Sequence, residues 1–292
     1  MILFVHGTLS TPSLWLPQIR SIVGLGKQFS DQQIINTFTI QLPGHPSNDD
    51  RFGFKDYVKY LETFQANNYA AQQRIAAQML LHGDKAIVNA LTDRRLTIIA
   101  HSVGGALSLE YAMKFPSVVR RMVLVSVPYR FNQPYLNSIK TLVDTMATVN
   151  DKSFTTLARL LPFRRWRVAA DLLNENKHHK GFKSCIEYLK QFNFAKQYEV
   201  SSINQQLALN KIPTLLIGGS YDLISTPQAV RKLKFILTPN SDIIMKKKTV
   251  ISGAKKQSNS IDAIIYQSGH NPMDSNTDQF CTDVIKFIKQ TT

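Results

Sequence analysis

The six residues Ala100-His101-Ser102-Val103-Gly104-Gly105 stand between an apolar run, Leu96-Thr97-Ile98-Ile99, and a stretch of helical character, Ala106-Leu107-Ser108-Leu109-Glu110-Tyr111-Ala112-Met113. A serine at so tight a passage from strand to helix is held in a strained backbone conformation and lifted above the sheet edge, which makes Ser102 a candidate nucleophile. The helix that starts behind it brings the positive end of a dipole beneath any oxyanion formed there. Ala100 and Gly104 are small enough to let strand and helix cross, and Gly105 permits a close backbone approach. Taken alone, the same pentapeptide also suits a structural serine closing a buried strand, so the remainder of the chain has to decide.

It does so through three further strand ends. Met1-Ile2-Leu3-Phe4-Val5 has the length and composition of a strand buried on both faces, and it stops at His6-Gly7-Thr8, where glycine allows a sharp turn that presents backbone N–H groups. Pro213-Thr214-Leu215-Leu216-Ile217-Gly218-Gly219 reads as another such strand, running into a turn that carries Asp222. Ile261-Asp262-Ala263-Ile264-Ile265-Tyr266 gives a last strand, followed by Gln267-Ser268-Gly269-His270. A neutral imidazole takes a serine proton when its other nitrogen donates to a carboxylate that fixes the tautomer. Ser102, Asp222 and His270 therefore form one candidate catalytic constellation, each at the carboxyl end of its own strand.

On these residues the chain resembles the α/β-hydrolase superfamily, in particular its esterase and lipase-like branch with a helical lid, and the resemblance extends over nearly the whole sequence. Leu42-Pro43-Gly44-His45-Pro46-Ser47 is similar to a loop that borders the active site in that family, with Gln41 in place of a common aspartate and Pro46 in place of a glycine. His45 is assigned no catalytic role. The resemblance implies oxyanion donors at the backbone N–H groups of Thr8 and Val103, substrate contacts from His6, Gly7, His101 and Trp166, and no metal or other cofactor. The expected activity is cleavage of carboxylic esters of small or medium apolar substrates through an acyl-enzyme. The same triad serves proline-type aminopeptidases, thioesterases and carbon–carbon bond hydrolases. An aminopeptidase needs a lid carboxylate for the substrate ammonium, and Asp171, Glu175 and Glu187 are the candidates, each equally readable as a surface charge. A different class of reading is a non-catalytic ligand-binding member, for which an intact triad has no use.

The expected architecture is α/β: a mostly parallel central sheet with helices on both faces, assembled from residues 1–127 and 212–292, plus an inserted helical lid over 128–211. Strands are read at 1–5, 34–40 and 118–126, helical stretches at about 13–30, 69–91 and 227–237, and a loop at 41–53. Within the lid, Phe131, Tyr135, Phe154, Phe163, Trp166, Phe182, Tyr188, Phe192 and Phe194 either line an apolar pocket or pack lid helices together. The stretch 239–260 is read as a long surface excursion, in which residues 243–251 could add a short strand or hairpin.

At 292 residues and 43% hydrophobic the chain can bury a large core. The opening segment lacks a basic n-region and cleavage site, and no apolar run approaches the roughly 20 residues that span a bilayer, so a soluble, cytoplasmic protein is expected. Cys185 and Cys281 are read as free thiols. The net charge of +15 comes without a nucleic-acid-binding motif, so no nucleic-acid partner is expected. Two basic clusters, Arg164-Arg165-Trp166-Arg167 and the lysines of residues 246–256, suit either solvated faces or weak contact with an anionic membrane surface.

Overall fold

Leu3 and Val5 point into one hydrophobic core and Ile2 and Phe4 into another, because successive side chains of a strand face opposite sides of its sheet. A computed structural model of the chain describes residues 2–7, 10, 12–28, 37–40, 95–134, 136–138, 140–141, 187–238 and 261–290. Along these, the elements run β1 (Ile2–Val5), a 3-10 turn at Pro12–Trp15, α1 (Leu16–Gln28), β2 (Thr37–Ile40), β3 (Leu96–His101), α2 (Val103–Lys114), β4 (Val119–Val125), α3 (Phe194–Val200), α4 (Ile203–Leu209), β5 (Thr214–Gly219), α5 (Pro227–Leu237), β6 (Ile261–Tyr266) and α6 (Thr277–Gln290). The six strands form one sheet in the order β2-β1-β3-β4-β5-β6, and every pairing is parallel.

The apolar runs of β1, β3 and β5 are buried at every position, as expected of parallel strands covered on both faces. One core joins Leu3, Ile98, Met122 and Leu216 to α2 and to Val230 and Leu233 of α5. The other joins Phe4, Ile99, Val123 and Ile217 to Trp15, Ile22 of α1 and Phe280, Val284 and Ile288 of α6. Arg121 is buried within β4, where its guanidinium donates to the Ile288 carbonyl near the end of α6. Helix α5 begins at a Thr226 cap that accepts the Ala229 N–H and has proline in its first turn, so its bounds coincide with those read from sequence.

Strand β1 is followed to one side by β2 and bordered on the other by β3. The chain's direction of travel across the sheet reverses between them, which opens a crevice beyond the carboxyl ends of β1 and β3. His6-Gly7 and Ser102 lie at those two ends.

The interval expected to form the lid is described at its two ends, and these ends meet. The Phe194 N–H donates to the Tyr129 carbonyl at 2.8 Å, Arg130 and Asn193 form an antiparallel bridge, and the rings of Phe131 and Phe192 are 5.7 Å apart. Whatever the chain does between them, it leaves and re-enters the core at one closed stem. The Asn132 N–H and side-chain amide bond the carbonyls of Ile224 and Leu223, beside Asp222. After the stem, α4 packs against α2. Of the aromatic residues singled out in this interval, Phe131, Phe192 and Phe194 are buried in the core with Tyr188 packed against it, so these four pack elements together. Tyr135, Phe154, Phe163, Trp166 and Phe182 lie outside the described residues, as do the segments 41–53, 69–91 and 239–260 and the thiol of Cys185. Cys281 is a buried free thiol.

Candidate active site

Ser102 is the first turn residue after β3, and its φ of 51° and ψ of −120° put it in a backbone region that side chains rarely adopt. The conformation is held from both sides: the Ser102 N–H donates to the Val125 carbonyl at 2.9 Å, and its carbonyl accepts the Ala106 N–H at 3.1 Å. The elbow needs its glycines. A Cβ at Gly104 would lie 2.4 Å from the His6 carbonyl oxygen, and one at Gly105 would lie 2.1 Å from a Val127 methyl. Small residues at these positions let α2 start close against the ends of β1 and β4. Val103 opens α2, so its N–H has no acceptor within the helix and lies beside the serine.

Asp222 follows β5 in a turn that consumes one of its oxygens. Oδ1 accepts the N–H groups of Ile224 at 2.9 Å and Ser225 at 2.8 Å, an Asx-type arrangement that locks the carboxylate plane. The other oxygen, Oδ2, faces His270 Nδ1 at 2.8 Å, and the carboxylate side chain is fully buried. Burial pushes the Asp222 carboxyl up, but the His270 charge and hydrogen bond, joined by the N–H groups of Ser225 and Ile224, outweigh it and hold the group below its ordinary value.

His270 Nε2 lies 2.9 Å from Ser102 Oγ. An ionised carboxylate only accepts, so Nδ1 carries the proton, Nε2 presents its lone pair, and the serine hydroxyl donates to it. The three candidate residues, up to 168 positions apart in sequence, thus form one continuous hydrogen-bonded line. The loops that carry Asp222 and His270 are pressed together. A Cβ at Gly219 would sit 2.1 Å from the Gly269 carbonyl oxygen, and the Tyr221 N–H donates to the Ser268 carbonyl at 2.9 Å.

The other expected site residues fall less evenly. Thr8 and Trp166 lie outside the described residues. His6 is fully buried, with Nδ1 donating to the Gly7 carbonyl at 2.8 Å. Gly7 stands under the elbow, where a Cβ would meet His101 Nδ1 at 2.5 Å. His101 is 3% exposed and its Nε2–H donates to the His270 carbonyl at 2.9 Å. Glu187, one of the possible ammonium ligands, pairs with Lys190 at 3.8 Å; Asp171 and Glu175 are outside the described residues. Among the described residues no group of three or more His, Cys, Asp or Glu side chains is placed to hold a metal ion, and no helix is long and apolar enough to cross a membrane.

Sequence reading missed the two N–H groups that hold Asp222 and the glycine that admits the base loop. The first had a signal: Asp222-Leu223-Ile224-Ser225-Thr226-Pro227 is an Asx turn running into a capped helix. The second had none, since the partner of Gly219 is the remote segment of Ser268 and Gly269.

Burial drives the His101 imidazole down to about 3, and the facing His270 pushes the same way against the weaker pulls of its own hydrogen bond and the Asp222 charge. Such a group takes its proton first in the unfolded chain, near 6.5. Its contribution to stability is therefore fully present above about pH 6.5 and is lost as the pH falls towards 3. Melting temperatures measured across that window should fall more steeply for the native protein than for His101→Gln, whose side chain does not titrate. Parallel slopes would contradict the buried neutral state.

The model of the family described as alpha/beta hydrolase fold matches residues 1–256, a span that includes Ser102 and Asp222 and ends before His270. Solved structures resemble the chain over almost its full length. An enol-lactonase from Burkholderia xenovorans is 16% identical with a TM-score of 0.58, covering 99% of this chain and 90% of that one. A structure reported with activity profiles of carboxylesterases from Nitrososphaera gargenis is 15% identical with a TM-score of 0.58, covering 99% and 90%. A meta-cleavage product hydrolase from Pseudomonas fluorescens is 16% identical with a TM-score of 0.54, covering 100% and 91%. At such identities the likeness is one of fold. No curated protein matches the chain in sequence.

Proposed function

Because the chain belongs to the alpha/beta hydrolase fold family, a family of enzymes, we propose that it is a serine hydrolase that cleaves carboxylic esters of small or medium apolar substrates through an acyl-enzyme. The observation that carries this reading is the unbroken line from Ser102 Oγ to His270 Nε2 at 2.9 Å and from His270 Nδ1 to Asp222 Oδ2 at 2.8 Å. In the first half-reaction Ser102 Oγ forms a bond to the ester carbonyl carbon as its proton passes to His270 Nε2. Asp222 stabilises the resulting imidazolium. The carbonyl oxygen, now anionic, is received by the Val103 N–H and, on the family's plan, the Thr8 N–H. Collapse of the intermediate breaks the bond to the alcohol oxygen, which takes the proton from His270. Water then repeats the sequence on the acyl-enzyme, releasing the acid and restoring the serine hydroxyl.

The preference for apolar substrates rests on Phe154, Phe163, Trp166 and Phe182 within the inserted interval, whose stem borders the acid loop. Purified protein should be labelled by a fluorophosphonate and should hydrolyse p-nitrophenyl esters, with an optimum at short or medium acyl length. A matched thioester and a proline amide belong in the same series. Faster turnover of either would replace the ester assignment, and a chain that resists labelling would overturn the serine mechanism itself.

A further inference from the structure

We propose that His101 is a positioning residue for the base: by donating from Nε2 to the His270 carbonyl, it fastens the imidazole of His270 to the strand that carries the nucleophile. This deepens the reading of Ser102, His270 and Asp222 as a triad and rests on it.

The two ring contacts of His270 align its imidazole with Asp222 and Ser102, but they act on the end of a side chain. Its backbone belongs to a loop beyond β6, which is the last strand of the sheet. That loop is bound to the acid's loop through Tyr221 and Ser268. On the nucleophile's side the backbone of residue 270 is held by the 2.9 Å hydrogen bond from His101, the residue next to Ser102 and the last of β3. The separation of base and nucleophile is thereby set by two neighbouring residues, His101 at the end of β3 and Ser102 in the turn that follows it. Proton transfer demands this kind of constraint, since a displacement of about 1 Å can cost a hundredfold in rate.

Packing alone is a poor account of a histidine at this position. The carbonyl of His270 can only accept, so His101 carries its proton on Nε2 and leaves a lone pair on Nδ1. That atom is buried and has no hydrogen-bond partner among the described residues. An apolar side chain of similar size would avoid this cost and fill the same space. Substrate contact is an equally poor account, because the ring is almost wholly covered and lies against His270, with centroids 4.9 Å apart. Gly7 serves the arrangement by omission: any Cβ there would strike the His101 ring.

The test compares His101→Gln, whose Nε2 amide can donate at similar reach, with His101→Leu, which has no donor, and His101→Asn, whose donor is too short. With a p-nitrophenyl ester, the leucine and asparagine variants should lose about ten- to a hundredfold in kcat with KM within about twofold, and the glutamine variant should stay within about threefold of native. Melting curves establish that each variant folds; if His101→Leu does not, the asparagine and glutamine pair still decides. Equal impairment of His101→Gln and His101→Asn, or native turnover by His101→Leu, overturns the proposal. The exchange-protected proton NMR signal of His270 Nδ1–H gives a second readout, expected sharp in native protein and His101→Gln and broadened in the other two. Native protein that neither hydrolyses esters nor takes the fluorophosphonate overturns the hydrolase reading, and the NMR comparison then still decides whether His101 holds the imidazole.

Discussion

Ser102→Ala is expected to lower ester hydrolysis by about a millionfold and to abolish covalent labelling by a fluorophosphonate. The substitution removes one oxygen and leaves the elbow, with the Val103 N–H at the start of α2, in place. Residual activity of about a thousandfold or more over water, supplied by binding and oxyanion stabilisation, is therefore expected, with little change in KM. Retained labelling would remove Ser102 from the mechanism. The same position should reveal the strain stored at the elbow. Alanine inherits the φ of 51°, a conformation that costs a non-glycine residue roughly 1–3 kcal/mol, whereas glycine adopts it freely and loses only about 0.4–1 kcal/mol through the unfolded chain. Ser102→Gly, equally inactive, should thus melt at a higher temperature than Ser102→Ala. About 1 kcal/mol corresponds to roughly 2–4 °C in a chain of this size.

The strands that form the middle of the sheet were legible because each is buried on both faces, and a parallel strand in that position has to be largely apolar. Ile2–Val5, Leu96–His101 and Thr214–Gly219 all meet that demand. Of the strand read at 34–40, residues 34–36 lie outside the described residues and Thr37–Ile40 form β2. The strand read at 118–126 begins and ends one residue inside those bounds, because Pro116–Val118 forms a 3-10 turn and Ser126 takes a φ of 52°. Hydrophobic patterning reports which residues are buried, and neither of those backbone turns alters it.

The candidate site was legible to the extent that the residue types it needs stand at strand ends. Ser102, Asp222 and His270 each follow an apolar run, and the sheet order brings those ends to one side. What sequence could not supply were the contacts in which the residue type is incidental. Gly219 matters through the space it leaves under the Gly269 carbonyl, and His101 through a donor aimed at a backbone oxygen 169 residues away. His101 was expected among the substrate contacts; it is buried at the end of a central strand, with its Nε2–H on the His270 carbonyl. Phe131, Phe192 and Phe194, read as either lining a pocket or packing elements together, are buried where the chain forms the Arg130–Asn193 bridge, since residues that leave and re-enter a core together must cover one another.

Asp222→Asn should reduce kcat by about ten-thousandfold while leaving KM and the fold nearly unchanged, and the geometry states why. Oδ1 already accepts two backbone N–H groups, from Ile224 and Ser225. An asparagine has to place its amide oxygen there, which turns its NH2 group towards His270 Nδ1. A donor in that position selects the tautomer with the lone pair on Nδ1 and the proton on Nε2, so the imidazole faces Ser102 Oγ with a hydrogen and cannot accept one. The more conservative substitution is therefore expected to be no less damaging than Asp222→Ala, which removes the carboxylate without adding a misdirected donor. Stability should separate from activity with pH. The carboxyl of Asp222 is held below its ordinary value of 3.8 in the fold, so its contribution is fully present above about that pH and is lost as the pH falls through the depressed value. The native protein's advantage in melting temperature over Asp222→Asn should accordingly shrink in strong acid. Near neutrality the variant should keep its fold and lose its chemistry; a variant that hydrolyses esters within tenfold of native would remove Asp222 from the proposed triad.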